Sequence, residues 1–215
     1  MAFLLLGCSQ TTKRVKPMIS KPVESSHAFI NVFNESMIVN GNSMELIEHL
    51  DAFQWEKEAL VRMYSEHTDL WNIEQKEEFK VILEKDKYLS LCGDKRYYEN
   101  LLFSNEDARV DILYSILFLR YVNNLSNGCV QWVSSHVKDE NHLYNIQADY
   151  LLSMIEKDAL VERLLIPFIP KKRAFTIALR DYHLMVAKSE NSESVIRQRL
   201  EVESLKAFES YPTYK

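Results

Sequence analysis

The sequence predicts an all-α fold, an irregular multi-helix bundle or short α-array of about seven to eight helices joined by short links. Three observations carry that prediction. Only 4 Gly and 5 Pro occur in 215 residues, too few for the turns a strand-rich sandwich requires. Apolar residues recur at helical spacing through most of the chain beyond residue 42, and Asn or Ser followed three residues later by Glu, Gln or Asp marks helix starts. A hydrophobic content of 47% at this length supports one good core, so residues 28–209 are taken as a single domain.

The elements follow in order. Residues 28–39 fit either a short helix or an extended segment, closed by Asn40-Gly41. Asn42 with Glu45 opens a helix expected to run to residue 67, with Leu46, Leu50, Phe53, Leu60 and Tyr64 on one side. Asn72 with Gln75 repeats the capping signal. The helix that follows should bury Phe79, Ile82 and Leu83, turn Glu77, Glu78, Lys80, Glu84 and Lys85 to water, and stop at Gly93. After a short helix over 94–103, Ser104 with Asp107 begins a helix over 106–124 that is apolar nearly all round from Val110 to Tyr121. Such a helix belongs at the centre of a bundle. Its uninterrupted apolar run ends at Arg120, too short for a membrane span.

Past Cys129 comes a brief helix holding Trp132 and Val133. Residues 141–165 read as one helix with Leu143, Ile146, Tyr150, Met154, Val161, Leu164 and Leu165 on a stripe, broken by Pro167 and Pro170. Two amphipathic helices complete the domain. Residues 171–188 align Phe175, Leu179, Tyr182 and Val186, residues 192–209 align Val195, Val202 and Leu205, and 210–215 form a tail. No tetratricopeptide pattern recurs at its spacing of about 34 residues, so a regular solenoid is not expected.

The first residues point to location. Leu5-Leu6-Gly7-Cys8 resembles the lipobox of bacterial lipoproteins, in which small residues precede a Cys that is acylated and begins the mature chain. The resemblance implies that residues 1–8 are a signal segment and that Cys8 is lipidated, carrying palmitate-type acyl chains that tether the protein to a membrane. The apolar stretch before Cys8 is shorter than the roughly 7 to 15 residues of a signal core and carries no Lys or Arg, which predicts a true start upstream of Met1. The competing reading is a buried apolar N-terminus with an ordinary thiol. Residues 9–27 lack apolar periodicity and hold Lys13, Arg14, Lys16 and Lys21 against the single acid Glu24, as a disordered basic spacer does. Each cation would add about 1 kcal/mol near anionic head groups. In the lipoproteins this segment resembles, Ser after the Cys permits sorting to the outer membrane. Ser9 therefore implies the outer membrane, facing the periplasm.

If Cys8 carries lipid, Cys92 and Cys129 remain as an even pair in an oxidising compartment. Each lies beside a glycine at an expected helix boundary, Cys92-Gly93 and Gly128-Cys129. They form a candidate disulfide if their helices bring the Cα atoms within about 7 Å. Two buried free thiols are the alternative.

A formal charge of −5 and a pI near 5.7 give no general electrostatic footprint for nucleic acid. The sequence lacks a His-Glu-x-x-His pair, a Gly-x-Ser-x-Gly elbow and a Gly-rich phosphate loop. His27, His49, His67, His136, His142 and His183 are dispersed, and an expected helix break separates the nearest two, His136 and His142. Neither a metal site nor a cofactor is expected. Glu77-Glu78 and Asp139-Glu140 are sequence neighbours whose side chains diverge on a helix, so they do not form an acid–base pair. Glu35-Ser36 and Glu209-Ser210 contain the dipeptide found at the catalytic acid of lytic transglycosylases but lack the Gly-Leu-Met-Gln segment that follows it there. No catalytic residue is assigned.

These features together predict a non-enzymatic envelope lipoprotein whose helical surface binds a protein partner in the assembly or positioning of a cell-envelope machine. A peptidoglycan-binding accessory is the alternative, as is a cytosolic helical adaptor if Cys8 is not lipidated. Candidate contact residues are the aromatics lying off the main stripes: Trp55, Trp71, Tyr97, Tyr98, Tyr211 and Tyr214.

Overall fold

In the computed structural model, residues 54–67, 69–92, 98–99, 108–129 and 148–207 are described, and among them the chain forms seven α-helices and no strand. This is the expected all-α, multi-helix array. Helix α1 (Gln54–Tyr64) buries Leu60 and Tyr64, as the apolar stripe predicts. The expected start of that helix at Asn42 lies outside the described residues, as do residues 28–39 and the helix holding Trp132.

Helix α2 (Ile73–Lys85) begins at a complete capping box. Asn72 Oδ1 accepts from the Gln75 amide at 2.8 Å, and Gln75 Oε1 accepts from the Asn72 amide at 3.1 Å. Two backbone donors that a helix start would otherwise orphan are thereby satisfied. The helix does not continue to Gly93. Asp86 takes a left-handed conformation with φ 33°, and its carboxylate then accepts from the Ser90 and Leu91 amides at 2.7 and 3.1 Å. A short polar side chain that hydrogen-bonds locally tolerates this geometry, so an Asp does here what the glycine was expected to do.

Helix α3 (Ala108–Asn127) is the centre of the domain. Every residue from Val110 to Leu119 is buried, and Gly128 ends the helix at φ 77°, its amide reaching Asn124 O at 3.0 Å. The helix runs about one turn beyond its expected end at residue 124.

The single helix expected over residues 141–165 is two. Helix α4 (Ala148–Glu156) stops where Asp158 turns left-handed at φ 59°, and helix α5 (Val161–Leu165) restarts the chain, running into a 3₁₀ turn at Ile166–Phe168. The buried face of α4 is Ala148, Leu151, Leu152 and Ile155; Tyr150 is exposed and Met154 half-buried, a rotation away from the predicted stripe. Leu160 precedes α5 and offers no capping side chain. The Glu78 carboxylate of α2 supplies the cap instead, accepting from the Val161 and Glu162 amides at 2.9 and 3.0 Å.

Helices α6 (Arg173–Ala187) and α7 (Ser192–Ala207) pack along one another as a hairpin, with α7 also reaching α3. Phe175 and Leu179 are buried as predicted, whereas Val186 is exposed. Two apolar clusters result. The larger gathers α1–α5 around α3; the smaller joins Leu89 to Phe175, Ala178, Leu179 and Val202 of the hairpin. Trp71 and Tyr98 belong to the larger cluster, where the Trp71 ring stacks on Phe79 at 5.5 Å between centroids. Both were candidate contact residues, and burial removes them from that role.

Candidate functional site

The seam between the two clusters holds the densest chemistry among the described residues. Cys92 lies in the turn after α2 and Cys129 just past α3, and their Cα atoms are 5.6 Å apart in disulfide geometry. Cys129 stands just past the helix end expected for it, whereas α2 ends at Lys85 and the turn that follows carries Cys92 to its partner. Cys129 is buried and Cys92 half-buried.

Helix α7 packs three charged side chains against this pair. Arg199, Glu203 and Lys206 are spaced four and three residues apart, which puts them on one helix face. Glu203 Oε2 accepts from the Cys129 amide at 2.7 Å, while Oε1 lies 2.8 Å from Arg199 Nε and 3.2 Å from Lys206 Nζ. Arg199 Nη2 donates to the Leu89 carbonyl at 2.8 Å and sits 3.3 Å from Cys129 Sγ; Lys206 Nζ donates to the same carbonyl at 3.0 Å. Leu89 itself is left-handed, with φ 56°. That conformation costs a non-glycine residue about 1 to 2 kcal/mol, and it aims the carbonyl at both cations.

Burial sets the electrostatics. It pushes the Lys206 ammonium down to about 8, with Glu203 opposing the shift, and raises the Asp86 carboxyl against the pull of its amide donors and of Lys206 and Arg199. The nearby Tyr121 hydroxyl is driven upward, first by burial and then by Asp86. Lys206 is completely shielded from solvent, so no substrate reaches its Nζ. The cluster is a clamp that ties α7 to the turn after α2 and to the end of α3. Sequence reasoning missed it because Arg199, Glu203 and Lys206 match no catalytic or metal-binding motif and were given no role. Their spacing as cation, anion and cation on one face was the available signal.

A second buried network lies in the larger cluster. Asp111 of α3 accepts from the Leu70 and Trp71 amides at 2.8 and 3.2 Å and from Tyr64 Oη at 2.7 Å, and pairs with Lys76 at 3.2 Å. Ser115 adds contacts to Tyr64 Oη at 2.8 Å and Trp71 Nε1 at 2.9 Å. Burial, then the Asp111 charge, holds the Tyr64 hydroxyl well above its usual range. Arg120 and Glu56 form a two-pronged pair at 2.9 and 3.0 Å. On the surface, Arg62, Glu66, Asp149, Tyr150 and Ser153 line an open hollow of about 450 Å³, and Arg62 already engages Asp149 at 2.9 Å.

The other residues singled out from the sequence divide simply by position. Cys8, Tyr97, Tyr211, Tyr214, His136, His142, Glu35, Glu209 and the side chain of Trp55 lie outside the described residues. Glu77 pairs with Lys80 while Glu78 caps α5, so the adjacent acids do diverge. His183 Nε2 rests 2.9 Å from the Lys87 carbonyl. Among the described residues no group of three His, Cys, Asp or Glu side chains could hold a metal ion, and no helix is long and apolar enough to cross a membrane. No known family, curated protein or solved structure matches the chain.

Proposed function

We propose that this chain is a lipid-anchored protein of the bacterial cell envelope, attached through Cys8 at the outer membrane and facing the periplasm. Its helical domain binds a protein partner in the assembly or positioning of an envelope machine. The observation that carries the reading is the pairing of Cys92 with Cys129: with Cys8 acylated, the two remaining cysteines of the chain meet in disulfide geometry, as suits an oxidising compartment. The Leu5-Leu6-Gly7-Cys8 segment and the basic spacer over 9–27 support it from the sequence side.

Mass spectrometry of protein isolated from envelopes tests location and bridge together. The expected species begins at an acylated Cys8 and carries a mass two hydrogen atoms short of the dithiol. A soluble chain retaining its first residues, with three alkylatable thiols, would remove the proposal. For the partner, cross-linking in whole cells should yield a reproducible adduct from the parent and a weaker one from Cys8→Ala. Equal adducts from both would detach partner binding from the tether.

A further inference from the structure

The outward side of α6 carries a pattern that the fold does not need. Residues 173, 177, 180, 184 and 188 follow one another at spacings of four and three, and they read Arg, Ile, Arg, Leu, Lys. They lie opposite Phe175, Ala178 and Leu179, which face the hairpin core. Ile177 and Leu184 are 39% and 48% exposed, so two large aliphatic groups stand in a row in water with basic side chains between and beside them. Over residues 171–188 the chain has five basic side chains against the single acid Asp181, in a protein whose formal charge is −5. Asp181 sits beside Arg180 at 2.8 Å, on an exposed pair.

The helix start adds an independent oddity. Arg173 stands at the positive end of the α6 dipole, and the first turn has no acid. Cations there oppose helix stability. A surface of fixed negative charge reverses that penalty, and aliphatic groups interleaved with long basic side chains match an interface that is apolar below and anionic above. A protein partner would need acids and apolar groups set in the same alternation, which a lipid head-group boundary supplies without a matching sequence.

We infer that this stripe of α6 rests on an anionic phospholipid surface. Ile177 and Leu184 enter the head-group boundary, and Arg173, Arg180 and Lys188 meet lipid phosphates. The helix lies in the plane of the bilayer and turns the rest of the domain away from it. The inference rests on the envelope reading for the bilayer it meets, but its test uses an unacylated chain, so the two fail separately.

The full chain bearing Cys8→Ala is sedimented with vesicles of phosphatidylcholine mixed with phosphatidylglycerol, and with vesicles of phosphatidylcholine alone. Binding to the mixed vesicles only is expected. Arg173→Gln/Arg180→Gln/Lys188→Gln should lower the partition coefficient by about a hundredfold, and Ile177→Ser/Leu184→Ser by about tenfold. Because these five side chains lie outside the core, both variants should stay folded, with thermal unfolding close to the parent's. A third variant, Lys13→Gln/Arg14→Gln/Lys16→Gln/Lys21→Gln, removes the spacer charges and should retain the greater part of the binding. Failure of the parent to sediment, equal sedimentation with both vesicle types, or binding that depends on the spacer alone would each overturn the assignment.

Discussion

The body built from α1–α5 and the hairpin of α6 and α7 bury their polar groups in different ways. In the body, Asp111 sits at the edge of a large apolar cluster, ringed by two backbone amides and a tyrosine, with Lys76 as its cation. In the hairpin, the apolar cluster is small, and an Arg, a Glu and a Lys supply much of the contact with the turn after α2. Losing one donor around Asp111 leaves the carboxylate its other donors and Lys76, so strength falls gradually. A buried ionic trio loses it abruptly, because the charges left behind have no water to replace the missing partner. The difference predicts two regions with unlike sensitivity in one domain.

Breaking the trio should have the largest effect. Glu203→Gln leaves Arg199 and Lys206 facing one another, and should cost about 4 kcal/mol. Hydrogen exchange would rise across α6 and α7 while α3 amides stay protected; equal loss in α3 would erase the distinction between the regions. Next comes the bridge at the seam. Cys92 and Cys129 are 37 positions apart, and opening a loop of that size should lower stability by about 3 to 4 kcal/mol in the chain-entropy model. Urea unfolding with and without a reductant measures it. A shift below about 1 kcal/mol would show that the sulfurs do not constrain the seam.

A third, smaller effect depends on pH. Lys206 titrates at about 8 in the folded chain against an ordinary value of 10.5. Between those values the unfolded chain holds a proton the folded chain has released, so stability rises with pH across the window. The cost of burying the ammonium is fully present below about pH 8. Relative to Lys206→Met, which lacks this titration, the parent should gain about 2 kcal/mol by about pH 9.5. A constant difference between the two across that range would contradict the burial assigned to Nζ. The smallest change belongs to the body: Asn72→Ala removes one half of the α2 capping box and should cost about 1 kcal/mol, read as a shift in the urea midpoint at unchanged slope.

What could be read from the sequence was local. Asn72 and Gln75 meet three residues apart, and α3 announces itself because its entire circumference is apolar, so neither depends on knowing the rest of the fold. The cysteine pair was legible as a choice between two states because each thiol adjoins a glycine at an expected helix boundary. The features that were missed depend on tertiary context. No Gly or Pro marks the break at Asp158; the chain turns there, and α5 then draws its cap from Glu78, 83 positions before Val161. The buried face of α7 is largely ionic: Arg199 and Lys206 share the stripe of Val195 and Val202, but hydrophobic periodicity scores only the apolar members and gave the charged ones no role. The run Lys171-Lys172-Arg173 was visible, but whether Ile177 and Leu184 faced the core or water was not.

The left-handed turn at Leu89 also bears on the order in which the molecule is completed. Its carbonyl meets Arg199 and Lys206, which come 110 and 117 positions later, whereas the Asp111 network needs only residues between 64 and 115. As a chain emerges from a ribosome or a translocation pore, α1 to α3 can gather their partners while α7 is still inside. Until then Leu89 lacks its cationic donors and the Cys129 amide lacks Glu203. The contacts of the seam can therefore form only after α7 has left, which those of the Asp111 network do not require.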